Sequence, residues 1–284
     1  MVSVIIPAYN EEMAIAETVT QVRQAVAAAE TEIIVVDDCS SDETAKRARE
    51  AGATVVRHPV NHGYGAALMT GIRAAAHDTI VITDADGTYP NGQMPDLLAE
   101  FGKGFDMVVG ARTGSHYRES FMKMPLRLLL KWLVEWTTGR EIPDINSGLR
   151  VFSKQTILTY LGHLCRTFSF TTSLTLAYMM TGKSVAYVPI EYHERVGSSK
   201  VRLIRDSLRT LQYIVQAILY YNPLKLFLLM SGFIGLLAVA NIVVGAVVRS
   251  VGVVVLGVNC LLVAVLVFCI GLLADLLRLI MTKR

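Results

Sequence analysis

The sequence is poor in the features that mark disulfide-linked, zinc-bound or nucleotide-loop folds. Its four cysteines are Cys39, Cys165, Cys260 and Cys269. They form no C-x-x-C pair, so we predict neither a disulfide framework nor a zinc site, and a reducing compartment is favoured. No G-x-G-x-x-G follows the first predicted strand and no G-x-x-x-x-G-K-[ST] occurs, which argues against dinucleotide-binding and P-loop folds.

The sequence also has no strong net charge, and its first residues do not have the pattern of a leader segment. The formal net charge is only +3, so no nucleic-acid partner is expected. The N-terminus starts directly with an apolar strand pattern and has no basic n-region, and no signal peptide is predicted. Hydrophobic residues nevertheless make up 52% of the 284 residues, more than one ordinary soluble domain contains. The excess lies near the C-terminus.

Two C-terminal segments contain almost no charged residues. Leu224–Val247 has none after Lys225, and Val251–Ala274 has none at all. A helix of this length covers about 36 Å, enough to cross a hydrocarbon core of roughly 30 Å. We therefore predict a transmembrane hairpin over residues 223–275 that turns at Arg249. A helical pair buried in a soluble core is the alternative.

Basic residues flank this hairpin on one side. They are Arg202, Arg205, Arg209 and Lys225 before it, and Arg278, Lys283 and Arg284 in or near the tail 276–284. The positive-inside rule then predicts a two-span protein of the cell membrane, with the N-terminal domain and both termini in the cytoplasm. Small residues in the first span suit close helix contacts, so a dimer or tetramer through the spans is a further expectation. They are Gly232, Gly235, Ala238 and Gly245.

Two segments have the pattern of helices that lie at a membrane interface. Residues 201–222 place apolar side chains at helical spacing opposite basic ones. Residues 125–138 carry Trp132 and Trp136 beside Arg127 and Lys131, and tryptophan with basic residues favours the headgroup zone. A core-facing helix of the soluble domain is the alternative for the second segment.

Residues 1–200 alternate strand and helix patterns, beginning with a strand at Val2–Tyr9 and a helix at Glu12–Ala29. This order predicts an α/β domain with a mostly parallel, doubly wound sheet. The fourth strand, Thr79–Thr83, is followed directly by Asp84-Ala85-Asp86. Two carboxylates at the carboxyl end of a buried strand can hold a hard divalent cation together with substrate phosphates. A polar turn that closes the strand is the alternative.

Three further segments follow predicted strands and reach the same edge of the sheet: residues 7–12, residues 37–42 and residues 61–65. They supply an aromatic ring, carboxylates and a glycine-flanked helix N-terminus. An aromatic face and an acceptor carboxylate suit a nucleobase, and a helix N-terminus with a metal suits a pyrophosphate. Together these segments indicate a nucleotide site.

In order and spacing, the segments VSVIIPAYNEE, IIVVDDCSSDET, NHGYGAAL, DADGTYP, GAR and DINSGLRVF resemble the family-2 glycosyltransferases with the glycosyltransferase-A fold. With the C-terminal hairpin, the chain looks most similar to polyprenyl-phosphate (dolichyl-phosphate) hexose synthases. The resemblance implies that Pro7, Tyr9 and Glu11 line the nucleotide pocket, and that Asp38, with Asp37, contacts the base.

The same resemblance implies roles for residues further along the chain. Asp84 supports the ribose or metal region, and Asp86 holds Mg²⁺ or Mn²⁺. Arg112 faces phosphates, and Arg127 binds the acceptor phosphate. Asp144 and Ser147 belong to a D-x-x-S-G turn near the sugar and acceptor. Arg195, Ser199 and Lys200 belong to a basic G-x-S-K segment that holds phosphates, for which membrane-surface charge is the alternative.

Two positions depart from the family pattern. Relatives usually have glycine where this chain has Cys39, and a common pattern has glutamine, a further metal contact, where this chain has Thr88. The turn after the second strand and one metal contact therefore differ from that pattern.

A missing carboxylate bears on the acceptor. Family members that act on hydroxyls often place a carboxylate on a helix after the D-x-x-S-G turn, but residues 168–174 contain none. A phosphate acceptor is already ionised near pH 7 and needs no general base. We therefore expect inverting transfer of a hexose from a nucleotide sugar of the GDP-mannose or UDP-glucose type to a polyprenyl or dolichyl phosphate. The alternatives are transfer to a glycolipid or protein hydroxyl, and a non-catalytic nucleotide-binding scaffold.

Overall fold

The strands of the chain are β1 (Val2–Ala8), β2 (Thr31–Asp37), β3 (Thr54–Arg57), β4 (Thr79–Ile82), β5 (Met107–Thr113), β6 (Arg150–Ser153) and β7 (Val185–Glu191). The helices are α1 (Ile15–Ala25), α2 (Thr44–Glu50), α3 (Tyr64–Ala74), α4 (Met94–Phe101), α5 (Met124–Thr138), α6 (Lys154–Leu158), α7 (Phe170–Met180), α8 (Leu203–Tyr221), α9 (Pro223–Val248) and α10 (Val251–Met281). This computed structural model describes residues 1–27, 30–113, 124–167, 169–193 and 203–281. They divide into two compact units, Met1–Ile214 and Val215–Arg284.

The first unit is built on one seven-stranded sheet with the order β3-β2-β1-β4-β6-β5-β7. Only β6 runs antiparallel to its neighbours, β4 and β5. The predicted mostly parallel α/β sheet is therefore confirmed. The sequence patterns did not predict β6 and β7, nor the antiparallel direction of β6. The domain boundaries at 200, 222 and 275 stay predictions.

The order of strands creates a crevice between β1 and β4. From β1 the chain first moves outward to β2 and β3, and then returns to β4 on the other side of β1. In open α/β sheets, ligands bind at such a switch point, outside the carboxyl ends of the strands. The pairing of β1 with β4 ends at Ile5 and Ile82. Pro7 follows, and its missing backbone donor removes no ladder bond there.

Apolar stripes fix the helices on the sheet. In α1 the buried residues Ile15, Thr18, Val19 and Val22 recur at helical spacing. This helix begins later than predicted, because the backbone N–H groups of Ala14 and Ile15 both donate to Glu11 O and form a turn first. In α3, Gly71 allows the helix to approach β1, since a Cβ there would lie 2.4 Å from Ile5 Cγ2.

The second unit contains two long apolar helices. The most apolar 18-residue stretches of α9 and of residues Val251–Ile280 in α10 have mean hydropathies of 2.4 and 3.0, and only 6% and 11% of these stretches is buried. Both helices are long and apolar enough to cross a membrane, and this low burial is unlike the core of a soluble protein. The second helix runs further than predicted, through Asp275 and Arg278, which form an ion pair of 3.0 Å.

Glycine and alanine bring α9 and α10 together. A Cβ at Gly245 would lie 2.7 Å from Val254, and one at Gly257 would lie 2.6 Å from Ile242 Cγ1. Ala238 is fully buried. Of the small residues noted in the first span, Gly232 and Gly235 do not contribute to this contact, because a Cβ at either position would meet no other described part of the chain within 4 Å. The turn is closed by Arg249, whose φ is +54°.

The predicted interfacial helices exist as α5 and α8. In α5, Leu133, Val134 and Thr137 are buried, whereas Trp132 is 48% exposed and stacks on Trp136 with 6.1 Å between ring centres. One face of α5 thus packs into the first unit and another presents an aromatic surface. Contact of either helix with lipid stays a prediction.

We predict that Cys39→Gly makes the protein more stable than Cys39→Ala by about 1 kcal/mol. Cys39 has a φ of +67°, a left-handed conformation in which a Cβ is strained and glycine is not. Both variants lose the sulfur, so their difference isolates the backbone effect. Thermal unfolding of the purified variants measures it. Equal stability of the two would contradict a strained turn at this position.

Candidate active site

Hydrogen bonds join the loops that follow β1 and β2. The backbone N–H of Asn10 donates to Ser40 Oγ at 2.9 Å, and the N–H of Ser41 donates to Asn10 Oδ1 at 2.8 Å. The N–H of Glu11 donates to Thr44 Oγ1 at 2.9 Å. These contacts fix the backbone of both loops on the β1 side of the crevice.

The predicted nucleotide residues in β1 and in the loop after it differ in exposure. Pro7 is buried in the strand. Tyr9 is 39% exposed, and Glu11 is half-buried in the loop just described. Tyr9 is thus partly exposed to solvent, whereas Pro7 is enclosed in the sheet. A contact of these three residues with a nucleotide stays a prediction.

The carboxylates of Asp37 and Asp38 hold neighbouring loops. Asp37 is fully buried, accepts a hydrogen bond from the backbone N–H of Ser40 at 3.0 Å, and forms an ion pair with Arg57 Nε at 3.0 Å. Asp38 accepts hydrogen bonds from the backbone N–H groups of His62 at 2.9 Å and Gly63 at 2.7 Å. Their carboxylates are therefore engaged within the protein, and the predicted contact with a base remains untested.

Asp84 is held between α3 and the turn before β6. The hydroxyl of Tyr64 donates to Asp84 Oδ1 at 2.8 Å. Burial and the negative charge of Asp84 raise the pKa of Tyr64 well above its usual range, so this phenol remains a donor. A Cβ at Gly148 would lie 2.8 Å from both carboxylate oxygens. Only glycine therefore fits beneath Asp84.

Asp86 is oriented by Thr88. The backbone N–H and the hydroxyl of Thr88 donate to Asp86 Oδ1 at 3.1 and 2.6 Å. Thr88 is fully buried and Asp86 is 7% exposed. Thr88, at the position where the sequence departs from the expected glutamine, thus orients the second aspartate of the pair. Among the described residues, no cluster of three or more His, Cys, Asp or Glu side chains is suited to hold a metal.

Arg112 and Asp144 form a two-point ion pair. Arg112 Nε and Nη2 donate to the two carboxylate oxygens of Asp144 at 2.7 and 2.9 Å. Burial alone would raise the pKa of Asp144, but the hydrogen bonds and the charge of Arg112 outweigh it and lower this pKa. The carboxylate is therefore ionised and a weak base.

Arg150 supports the turn formed by residues 144–148, although the sequence patterns did not single it out. It is fully buried. Its Nε donates to Ser147 O at 2.7 Å, its Nη2 to Ile145 O at 2.8 Å, and its Nη1 to Thr175 Oγ1 at 2.7 Å. Burial lowers the pKa of Arg150. The only available signal was a charged residue directly before the apolar pair Val151 and Phe152.

Helix α7 begins against the same turn. The hydroxyl of Thr172 donates to Asn146 Oδ1. Ser147 is fully buried, and its hydroxyl has no hydrogen-bond partner within the described part of the chain. The predicted contact of Ser147 with an acceptor phosphate stays a prediction.

Aromatic residues connect the Asp84–Asp86 loop with the ends of β5 and β7. The hydroxyl of Tyr89 accepts a hydrogen bond from the backbone N–H of Gly148 at 2.6 Å. The rings of Tyr89 and Tyr192 meet edge to face at 5.4 Å, and the guanidinium of Arg112 lies 5.2 Å from the ring centre of Tyr192. The backbone N–H of His193 donates to Thr88 O at 2.9 Å. Four strand ends thus meet at one site.

The remaining predicted acceptor residues are described only in part or not at all. Arg127 lies on α5, within Met124–Thr138, but its side chain is outside the described part. Arg195, Ser199 and Lys200 lie outside the described residues. The site that the structure does bring together contains Asp84, Asp86, Arg112 and Asp144, supported by the residues that sequence patterns missed. They are Tyr64, Tyr89, Arg150 and Tyr192.

Residues 3–171 match the model of the family described as Glycosyl transferase family 2. The chain belongs to this family. Residues 222–278 match a second model, the GtrB C-terminal hairpin, which coincides with α9 and most of α10. This family-2 member is therefore a glycosyltransferase that carries a C-terminal helical hairpin.

Curated relatives extend this similarity beyond the first unit. The undecaprenyl-phosphate 4-deoxy-4-formamido-L-arabinose transferases of Salmonella dublin and Salmonella gallinarum are each 30% identical over 247 residues. The alignments cover 83% of this chain and 72% of each relative. The relatives are thus similar along most of both chains.

Solved structures show the fold. Glucosyl-3-phosphoglycerate synthase from Mycobacterium tuberculosis, solved with phosphoglyceric acid, is 22% identical, with a TM-score of 0.63 over 76% of this chain and 79% of that chain. The same enzyme solved with Mn²⁺, uridine diphosphate and glucosyl-3-phosphoglycerate gives a TM-score of 0.62 at 23% identity, with the same coverage of both chains. The predicted glycosyltransferase-A fold is confirmed.

We predict that Asp144→Asn lowers stability by about 3 kcal/mol, because it leaves the largely buried guanidinium of Arg112 without its counter-charge. The pKa of Asp144 is lower in the folded protein than in the unfolded chain, so the ionised carboxylate stabilises the folded state at every pH above the ordinary carboxyl pKa. This contribution is lost only as the pH falls towards the pKa of Asp144 in the folded protein. The stability difference between wild type and variant should therefore be equal at pH 7 and pH 5. Thermal unfolding at both pH values measures it. A difference that shrinks between them would contradict the direction of this shift.

Proposed function

We propose that this glycosyltransferase moves a hexose from a nucleotide sugar to the phosphate of a membrane polyprenyl phosphate. The relatives that are 30% identical are named as transferases of a sugar to undecaprenyl phosphate, which supports this class of acceptor. The donor is expected to be of the GDP-mannose or UDP-glucose type. The exposed ring of Tyr9 and the edge of β4 provide the surface for it.

The observation that carries the proposal is the engagement of Asp144 by Arg112. Transfer to a hydroxyl requires a base that removes its proton, but Asp144 is paired at both oxygens and its pKa is lowered. Helix α7, which contacts the turn at Asn146, carries Thr171, Thr172 and Ser173 in its first turn after Phe170 and has no carboxylate there. An acceptor that is already anionic suits this site, since it needs positioning and charge neutralisation only.

The donor set at the carboxyl end of β4 fits Mg²⁺ or Mn²⁺. Asp84 and Asp86 offer carboxylate oxygens, which hard divalent cations prefer, and such ions commonly complete their shell with water and substrate phosphates. Fewer protein ligands are then needed than in an all-protein site. The neighbouring enzyme solved with Mn²⁺ and uridine diphosphate is consistent with such use. When bound, the ion would supply positive charge that stabilises the departing diphosphate.

We further propose a single displacement with inversion, in which an α-linked donor gives a β-linked product. An oxygen of the lipid phosphate forms the new bond to the anomeric carbon. The bond from this carbon to the diphosphate oxygen breaks, and its electron pair leaves with the nucleoside diphosphate. The protein orients Asp84 through Tyr64 and Gly148 and orients Asp86 through Thr88. Arg127 and the segment with Arg195, Ser199 and Lys200 hold the acceptor phosphate.

The hairpin would keep the enzyme at the bilayer that contains its acceptor. Both helices are long enough to span it. The distribution of lysine and arginine favours a cytoplasmic catalytic domain and cytoplasmic termini. Assembly into a dimer or tetramer through the spans is part of this proposal.

We predict that Asp86→Asn lowers the rate of sugar transfer by about 100-fold or more, because the leaving diphosphate loses its charge stabilisation. The measurement is transfer of label from a panel of nucleotide sugars to polyprenyl phosphate. Asp96→Asn, at an exposed aspartate in the first turn of α4, is the matched control and should be active. Full wild-type activity in excess chelator would contradict the metal role, and normal activity of Asp86→Asn would contradict the role of this residue.

We predict that Arg127→Ala raises the KM for polyprenyl phosphate about tenfold, as the loss of one charge-assisted hydrogen bond implies, and leaves the KM for the sugar donor unchanged. Lys131→Ala removes an exposed cation one turn later on α5 and is the control. Initial rates at varied concentrations of each substrate provide both constants. Equal losses for donor and acceptor would show that Arg127 does not act on the acceptor alone.

A further inference from the structure

A cavity with basic side chains lies along α3 and the segment that precedes it. Its volume is about 240 Å³. The charged and polar side chains that line it are His58, His62, Thr70, Arg73 and Arg166. Ala66 and Met69 complete the wall. No carboxylate lines the cavity among the described residues, so the positive charges of Arg73 and Arg166 have no counter-charge in its wall.

The wall formed by α3 follows from helical spacing. His62 lies just before the helix, and Thr70 and Arg73 follow at steps that return to the same face. Within the described part of the chain, the guanidinium groups of Arg73 and Arg166 have no hydrogen bond or ion pair, and the imidazole of His62 has only an edge-to-face contact with His58, 5.0 Å between ring centres. Three nitrogen-bearing side chains around one cavity are thus available to a ligand.

Arg166 is fixed to the opposite wall by its backbone. The N–H of Ala66 donates to Arg166 O at 2.8 Å. A Cβ at Gly65 would lie 2.4 Å from Cys165 O and 2.7 Å from the carbonyl carbon of Arg166. The glycine therefore lets this segment lie directly against the start of α3. The Cα of Arg166 is held at the rim, and only its side chain must be ordered by a ligand.

His58 forms a rigid side of the cavity. Its Nδ1 lies 2.7 Å from Asp38 Oδ1, and its Nε2 lies 2.9 Å from Thr70 Oγ1. Both ring nitrogens are used within the protein, so the ring is fixed and does not itself bind a ligand. Preorganised walls reduce the entropy that is lost on binding.

We propose that this cavity binds a small phosphorylated molecule, a phosphate monoester or a diphosphate, through Arg73, Arg166 and His62. Guanidinium groups form charge-assisted, often two-point hydrogen bonds with phosphate oxygens. The volume lies just below the roughly 300 Å³ at which pockets for drug-sized ligands begin, so the occupant is small. The proposal does not depend on the acceptor or on the metal of the transfer reaction.

Isothermal titration of the full-length protein with pyrophosphate tests the proposal. The protein is held in nanodiscs of neutral lipid, and chelator is present so that no metal links pyrophosphate to the Asp84–Asp86 edge. We expect saturable binding to the wild type and to Asp86→Asn. In the variant that combines Arg73→Gln with Arg166→Gln, the affinity should fall by about tenfold or more. Arg49→Gln removes an exposed arginine of α2 and is the control, with binding unchanged.

Three outcomes would overturn the proposal. The first is that the wild type shows no saturable binding, and the second is that the double arginine variant binds pyrophosphate as tightly as the wild type. The third is that Asp86→Asn loses binding while the double arginine variant keeps it. Thermal unfolding of each variant verifies that it is folded. All the substituted arginines are exposed, so a folded double variant is expected.

Titration with glycerol 3-phosphate, and a repeat in nanodiscs that contain phosphatidic acid, distinguish the sources of the phosphate. If glycerol 3-phosphate binds and phosphatidic acid leaves its affinity unchanged, the occupant is a soluble phosphate. If phosphatidic acid weakens pyrophosphate binding to the wild type and to Arg49→Gln alike, the occupant is a lipid headgroup. Both results support the proposed site.

Discussion

The close approach of the Asp84 carboxylate to the backbone of Gly148 is the constraint on which the site depends. Because no side chain fits between them, the loop after β4 and the turn before β6 pack as one body. Tyr64 adds a donor from α3, and Tyr89 accepts from the backbone N–H of the same glycine. The orientation of Asp86, through Thr88, is set within this body. The two aspartates are therefore presented by contacts from three separate elements.

Hydrogen bonds compensate the buried charges of Arg150 and Asp144. Arg150 has no carboxylate partner among the described residues, and its cost of burial is offset by two backbone carbonyls and a hydroxyl. Both carboxylate oxygens of Asp144 accept hydrogen bonds from Arg112. The turn that carries Asp144 is thus rigid and electrostatically satisfied before any substrate binds. Such preorganisation favours a site that stabilises charge over one that exchanges protons.

The first half of the sheet could be predicted from the sequence because each strand there is a short apolar run followed by a polar turn. Strand β6 was missed, since four residues that begin with Arg150 do not make a strand pattern. The supporting residues were missed for a related reason. Tyr89 and Gly148 are 59 positions apart, and no local pattern relates a phenol to a distant glycine. At Cys39, by contrast, the sequence did indicate a local feature. The position at which the family pattern has glycine adopts a left-handed backbone conformation in the structure.

The sequence by itself determined the alternation of strands and helices, the two apolar helices and the position of Asp84 and Asp86 at a strand end. These features follow from periodicity and composition, which act over a few neighbouring residues. Only the tertiary structure decided that Asp144 is paired with Arg112, that Asp37 and Asp38 hold loops, and that a basic cavity opens beside α3. Each of these features depends on groups that are distant in the chain and meet only when the chain packs. No local segment of the sequence contains both partners of such a contact, so local patterns do not predict it.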